Sequence, residues 1–215
     1  MRIIVFGATG NVGGRVVAEA VRRGHDVTAV VRSPERASLL PEGVAVGAVA
    51  VGDVSDPGAV AKLSEGHDVV VAATRPVHGR EPELVAMTRA LLAGSAKAGT
   101  RLVVVGGAAG LLVPGTKGRR VLDDPRYMSA EYRDIAVACL DQFAACAEAD
   151  GDWTYASPPA TLIPGRRTGR YRRGGDELVV DDEGASVISM EDFAVALLDE
   201  VEMPRSRQAR FTAAY

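Results

Sequence analysis

Arg2-Ile3-Ile4-Val5-Phe6-Gly7-Ala8-Thr9-Gly10-Asn11-Val12-Gly13-Gly14 decides the fold. An apolar run of strand type enters a glycine loop, and helical periodicity begins on its far side. A strand that turns through glycines into a helix gathers several backbone N–H groups and a helix N-terminus around one point, where a pyrophosphate is held well. Each glycine has a steric reason. Gly7 permits the tight turn, Gly10 allows backbone to approach phosphates, and Gly13 lets the helix pack closely. The spacing G-x-x-G-x-x-G is a variant of the dinucleotide fingerprint, and the strand before and helix after it are the context that gives it meaning.

The next residues refine the reading. Val12, Val16, Val17, Ala20 and Val21 form a helical stripe, with Arg15, Glu19 and Arg22 on the other side, and Gly24 is placed as a C-cap glycine. Residues 26–31 then read as a second buried strand. In an NAD-selective site an acidic residue about 20 positions past the glycines accepts from the ribose 2′-hydroxyl. Here Arg32-Ser33 stands there, with Arg36 behind it. A guanidinium suits a 2′-phosphate, so the pattern points to NADP(H), NADPH over NADH, with a solvated loop charge as the plain alternative for Arg32.

Composition sets bounds. A chain of 215 residues, 47% hydrophobic and 25% charged, is sufficient for one sizeable core and short for two. A net charge of −3 argues against nucleic acid or an anionic membrane as partner. The basic stretch 166–173 has acids nearby (Asp176, Glu177, Asp181, Asp182, Glu183) and reads as a solvated hairpin. There is no apolar run of about 18 residues and no signal-peptide layout, so a cytoplasmic protein is expected. Cys139 and Cys146 fall on one face of a helix about 10 Å apart, too far for a disulfide, and core packing is expected of both. The three histidines, His25, His67 and His78, lack metal-ligand spacing, so no metal is expected.

Strand and helix patterns alternate along the chain. Short-helix periodicity covers 34–40, a third strand 44–51, a helix 57–65, a fourth strand 68–73, a helix 82–98 and a fifth strand 101–105. The strands are continuous apolar runs, as expected for parallel strands covered on both faces. The fold class is α/β: a doubly wound parallel sheet of the NAD(P)-binding Rossmann type. A helix over 128–149, a sixth strand over 152–157, a hairpin pairing 169–173 with 177–180, and a helix capped by the Ser189-x-x-Asp192 box follow. A last strand covers 210–213. No linker or repeat is evident, so residues 1–215 read as one domain, with 158–215 forming a small substrate-side cap.

With these residues assembled, the chain resembles the short-chain dehydrogenase/reductase superfamily. More narrowly it is similar to the atypical NAD(P)H-flavin reductase-like branch that includes biliverdin reductase B and nitrogen-metabolite-repression regulators. The resemblance spans essentially the whole chain and is carried by residues 7–13, 31–33, 52–54, 104–107, 153–158 and 188–193. It implies that Gly7, Thr9, Gly10, Asn11 and Val12 hold the pyrophosphate and that Arg32 and Ser33 take the 2′-phosphate. Asp53 and Val54 would flank the adenine, Ala72, Ala73 and Thr74 would lie along the ribose, and Ser157 and Pro158 would approach the nicotinamide. For Asp53 a turn or cap role before Pro57 is the alternative.

The superfamily's usual acid is absent. Its Tyr-x-x-x-Lys pair lets a lysine lower the tyrosine pKa. Here Tyr127 precedes Glu131 and Tyr132 precedes Ala136 at that spacing, and the stretch 106–111 lacks the serine often found there. Hydride transfer to a flavin or quinone-like acceptor does not need that acid, because the cofactor carries the chemistry and water supplies the proton. The expected activity is therefore an NADPH-dependent reductase, with a flavin as substrate rather than bound group. The alternatives are a non-catalytic NADP-binding sensor, and a tailoring or epimerase-like enzyme of aromatic or polyketide metabolism with a nonstandard acid. His78, Tyr127, Tyr132 and Tyr155 are the pocket candidates.

Overall fold

The computed structural model describes residues 1–41 and 49–215. Strand β1 (Arg2–Phe6) leads into helix α1 (Asn11–Arg22) and β2 (Asp26–Val31). A single stretch of 3-10 helix, Pro34–Leu39, stands where the short helix is expected. Then come β3 (Val49–Val51), α2 (Pro57–Ser64), β4 (Val69–Ala72), α3 (Glu83–Ala98) and β5 (Arg101–Val105). Of the expected third strand, residues 44–48 lie outside the described residues.

The second half contains α4 (Arg133–Ala147), β6 (Trp153–Ser157), β7 (Thr161–Ile163), β8 (Arg172–Gly174), β9 (Val187–Ser189), α5 (Met190–Glu202) and β10 (Ala209–Ala214). Helix α4 starts later than its periodicity suggests, because a 3-10 turn at Ala130–Tyr132 precedes it.

The main sheet runs in the order β3-β2-β1-β4-β5-β6-β10-β8, and β7 pairs with β9 in a separate parallel ribbon. All described pairs of the main sheet are parallel except β10 with β8. Strand β1 lies between β2 and β4, so the chain reverses its direction of winding at β1. In such sheets that reversal opens a crevice at the carboxyl ends of the strands.

Burial explains why the strands read as unbroken apolar runs. Ile3 and Val5 belong to the core on the side of α1 and α5, whereas Ile4 and Phe6 belong to the core on the opposite side, under α2 and α3. Both faces are covered, so both sets of alternate residues must be apolar. Among the described residues no helix is long and apolar enough to cross a membrane.

Two expectations need correction. The hairpin between 169–173 and 177–180 does not form. Strand β8 instead pairs antiparallel with β10, while Glu177 bridges to Leu112. The last third is also more than a cap, because β10 extends the central sheet beside β6 and α5 packs on α1.

The basic stretch is largely exposed, as expected, but two of its arginines are tied to buried carboxylates. Arg173 reaches the fully buried Glu200 at 2.6 Å, and Arg101 reaches the same carboxylate at 2.7 Å. Arg167 bonds Glu19 at 2.8 Å, where Arg22 and Arg23 converge as well. The helical stripe put Glu19 on the outer side of α1, but that side is covered by α5 and residue 167, and Glu19 is 4% exposed. Buried arginines and carboxylates must find each other, so the cluster that looks like a polar loop fastens the C-terminal third to the core.

Burial alone would raise the pKa of Glu19. The hydrogen bonds from Arg22, Arg167 and Arg23 outweigh it and hold the carboxyl well below the usual carboxylate range. A carboxyl depressed in the folded state adds stability that is full above its unfolded pKa of about 4.3 and is lost as pH falls below that. Glu19→Gln is therefore expected to flatten the acid limb of the stability profile between about pH 5 and pH 3. Urea unfolding across that range checks this, and identical acid limbs in the two proteins would refute it.

Candidate functional site

The glycine loop is built by contact as much as by conformation. Gly7 has φ +80°, and a Cβ on it would lie 2.3 Å from the Ala73 carbonyl oxygen. A Cβ on Gly13 would lie 2.1 Å from the Gly7 oxygen, so α1 can approach the loop only with glycine there. Gly10 has an ordinary φ of −83° and closes the turn by donating to the Gly7 carbonyl at 2.9 Å. Helix α1 starts at Gly10 without a side-chain cap and with no acid in its first turn. Its first N–H groups and its positive end therefore face the crevice without a side-chain partner.

A cleft of about 760 Å³ opens at this point. It falls within the roughly 300–1,000 Å³ common for cofactor and ligand clefts. Gly7, Thr9, Gly10, Asn11 and Val12 line its floor beside Ala73 and Thr74. Arg32 and Val54 line one end with Arg36, and Pro158, Tyr127 and Tyr132 line the other. The cleft thus brings together most of the residues expected from the sequence.

Others lie elsewhere. Ala72 is 1% exposed within β4 and packs into the core beneath the cleft. Ser157 is fully buried in β6, and its Oγ has no hydrogen-bond partner among the described residues. Ser33 does not line the cleft and sits at the N-cap of the 3-10 turn. Asp53 is exposed, and its Oδ1 accepts from both the N–H and the hydroxyl of Ser55, which is the turn role. Those two bonds, with the Arg32 guanidinium nearby, hold its carboxyl below the usual range. Asp56, not Asp53, caps α2.

His78 is 94% exposed beside Glu81 and away from the cleft. The aromatic ring of Tyr155 is buried beneath the turn after β5. Its hydroxyl lies 3.0 Å from the Cys139 carbonyl and from Gln142 Oε1, and accepts from the Gly107 N–H at 3.2 Å. A Cβ on Gly106 would fall 1.9 Å from the Tyr155 ring, so this glycine is required by the tyrosine beneath it. Burial raises the Tyr155 pKa well above the usual range. It supports the cleft floor and does not line the cleft.

Several lining residues escaped the sequence reading. Arg75 follows Thr74 directly, and extending the rule that ligands sit beyond strand ends by one residue would have included it. Cys139 packs under Gly107, and burial pushes its thiol up to about 11, despite an opposing effect of Arg75. Cys146 packs in the core as expected. Residues 159–163 form the far wall, with Leu84, Met87, Ile135 and Met190 adding apolar surface. Among the described residues no group of three or more His, Cys, Asp or Glu could hold a metal.

A family model described as NAD(P)H-binding matches residues 7–203. The chain belongs to this NAD(P)H-binding family. Three solved structures are similar along its whole length. A Burkholderia pseudomallei protein, named as a candidate exported protein, is 40% identical, with full coverage of both chains and a TM-score of 0.87. A candidate epimerase from Bacteroides thetaiotaomicron is 35% identical, covering 100% of this chain and 96% of its own, with a TM-score of 0.87. A candidate NADH-flavin reductase from Streptococcus pneumoniae is 29% identical, covering 100% and 99%, with a TM-score of 0.85. These findings agree with the expected flavin-reductase-like branch of the short-chain dehydrogenase/reductases, and the chain is homologous to nicotinamide-dependent oxidoreductases.

The site fits the family's ligand. An uncapped helix start, glycines whose Cβ positions are already filled by backbone, and arginines at the β2 end suit a phosphate-bearing dinucleotide. Gly13→Ala is expected to force α1 off the loop and to weaken nicotinamide dinucleotide binding at least about 10-fold, since 1.4 kcal/mol already corresponds to that factor. Titration of NADPH fluorescence measures it, and unchanged affinity in the folded variant would contradict the packing argument.

Proposed function

We propose that this protein is an NADPH-dependent reductase that passes a hydride to a flavin or quinone-like acceptor. The observation that carries this reading is the composition of the cleft wall. Its charged residues, among those described, are Arg32, Arg36 and Arg75, and it has no Asp, Glu, Lys or His. Its remaining ionisable side chains are two tyrosines and Cys139. Tyr127 donates its proton to the Gly184 carbonyl at 2.7 Å, and the Cys139 thiol holds its proton with a pKa of about 11. The Tyr127 hydroxyl is committed to that hydrogen bond, and Cys139 stays a thiol at neutral pH.

A reaction suited to such a wall draws its proton from water. A reduced nicotinamide held by the glycine loop would supply a hydride, and solvent would supply the proton that balances it on the acceptor. The protein's part is to orient and to exclude water. The loop and α1 hold the pyrophosphate, and the Gly106–Gly107 turn, propped by Tyr155, sets the depth of the floor. The apolar side chains of α3, α4 and 159–163 provide a flat surface for an aromatic acceptor. Arg32, with Arg36 beside it, would meet the 2′-phosphate.

One observation favours a second reading. Tyr132 lines the cleft, is 52% exposed and has no hydrogen-bond partner among the described residues, so its hydroxyl is the one free to serve as a protein acid. An epimerase-like or tailoring enzyme would use it, and loss of turnover in Tyr132→Phe would support that reading. A binding protein without turnover is the third outcome, recognised by tight NADPH binding with no acceptor reduced.

Under the leading reading, riboflavin, FMN or a quinone should accelerate NADPH oxidation, and Tyr132→Phe should retain most of the rate. Arg32→Ala should weaken NADPH by about 1.5–3 kcal/mol, roughly 10- to 150-fold, and NADH far less, as for loss of a hydrogen bond to a charged group. Equal losses for both cofactors would remove the assignment of Arg32.

A further inference from the structure

Strand order divides the three cleft arginines into two groups. Arg32 and Arg36 follow β2, on one side of the glycine loop, and Arg75 follows β4, on the other. Neighbouring strands lie about 4.8 Å apart, so Arg75 leaves the sheet about 10 Å from Arg32, with the pyrophosphate seat between them. A dinucleotide with its adenosine half toward β2 extends its nicotinamide half toward β4 and β5. That half brings no negative charge beyond the pyrophosphate, and the oxidised ring is itself a cation.

Arg75 therefore faces a part of the cofactor that offers it no anion. The protein offers none either. Among the described residues, Arg75 has no ion pair and no hydrogen bond, whereas the guanidinium groups of Arg23, Arg101, Arg126 and Arg173 all have carboxylate partners. Cys139 is close enough to feel its charge, and the cleft wall otherwise carries only uncharged side chains apart from Arg32 and Arg36. In the open cleft water solvates Arg75, and an exposed guanidinium carries little penalty. An acceptor closing over the nicotinamide half removes that water. A guanidinium dried against apolar walls is costly unless an anion arrives with the acceptor, and a phosphate or carboxylate can meet it with two parallel hydrogen bonds.

We propose that Arg75 is the specificity-determining residue for an anionic hydride acceptor, one that carries a phosphate or carboxylate beside its planar ring. This rests on the reading of the cleft as a reductase site. Neutral ring systems of the same shape are poorer substrates, because they dry the guanidinium without replacing its water.

The test compares acceptors that differ only in the anion: FMN with riboflavin, and a carboxylated quinone with its uncharged parent. With NADPH saturating, the wild-type protein should favour the anionic member of at least one pair by about 10-fold or more in kcat/KM, the effect of one charge-assisted bidentate contact. Which pair shows it distinguishes phosphate from carboxylate. Arg75→Gln should bring that ratio to within about 2-fold, Arg75→Lys should keep part of it, and added salt should shrink it in the wild type. Turnover of flavins or quinones with no anion preference, or a preference that survives Arg75→Gln, overturns this proposal and leaves the reductase reading standing. A rise in the KM for NADPH by the same factor with every acceptor also overturns it, and returns Arg75 to the cofactor. Failure of every acceptor, with NADPH binding intact by fluorescence, overturns the reductase reading and this proposal together.

Discussion

Two backbone oxygens, those of Gly7 and Ala73, stand where side chains would be if Gly13 and Gly7 were any other residue. Everything at the site follows from this closeness. With no Cβ at Gly7 the loop leaves β1 against the end of β4, and with no Cβ at Gly13 helix α1 begins against the loop. The helix start is thereby held over the point where the winding of the sheet reverses. A looser approach would leave the same N–H groups on the surface, solvated and without a common focus. Their convergence in a crevice, beside a helix end that lacks a capping side chain, gives an anion its seat.

The C-terminal third is the part of the molecule where local sequence and tertiary structure disagree most. Residues 166–173 look like a charged loop, yet Arg167 reaches a carboxylate on α1 and Arg173 one on α5. Glu200, fully buried, receives Arg101, Arg173 and the backbone N–H groups of Arg205 and Ser206. Asp192, also fully buried, accepts from Thr168, Gly169 and Tyr215. Removing one partner from such a set leaves a charge without water, so these contacts act as a specific fastening of the segment to the two helices more than as a source of net stability. The wall of the cleft at 159–163 is positioned because the chain on both sides of it is tied down.

This contrast explains what could be read from residues alone. Strands β1, β2, β4 and β5, helix α1 and the glycine loop obey local rules, a period of 3.6 or a continuous apolar run with glycine at its ends, and each lies close to its expected bounds. The Ser189 cap on α5 is equally local, with the hydroxyl accepting from Asp192 N–H at 3.0 Å. The pairing of β8 with β10 joins residues about forty positions apart, and no pattern within 169–180 encodes it. At the site, that Gly7, Thr9, Gly10, Asn11 and Val12 would line the cleft was legible because the loop is one contiguous segment, and Arg32 because it directly follows the next strand. The placements of Ser157 and Tyr155 were not, because which face of the sheet each presents depends on a distant neighbour. For Tyr155 that neighbour is the turn at Gly106–Gly107, whereas Asp53 takes the local turn alternative with Ser55, two residues on.

The distribution of charge carries the argument from fold to chemistry. The chain is acidic, with 28 carboxylate side chains against 25 lysines and arginines, yet no described carboxylate reaches the wall of its principal cleft. Many of the acids are committed elsewhere, to the fastenings at Glu19, Asp192 and Glu200 and to helix starts. What remains at the cleft is positive charge without ion-pair partners among the described residues, on an otherwise uncharged surface. Such a surface is stable only while it is wet. On the reading proposed above, a ligand that fills it brings negative charge to both ends, at the ribose end where Arg32 and Arg36 stand and across the loop where Arg75 stands. On that reading, the cleft's preference for its ligands is set by charges that the fold itself leaves unanswered.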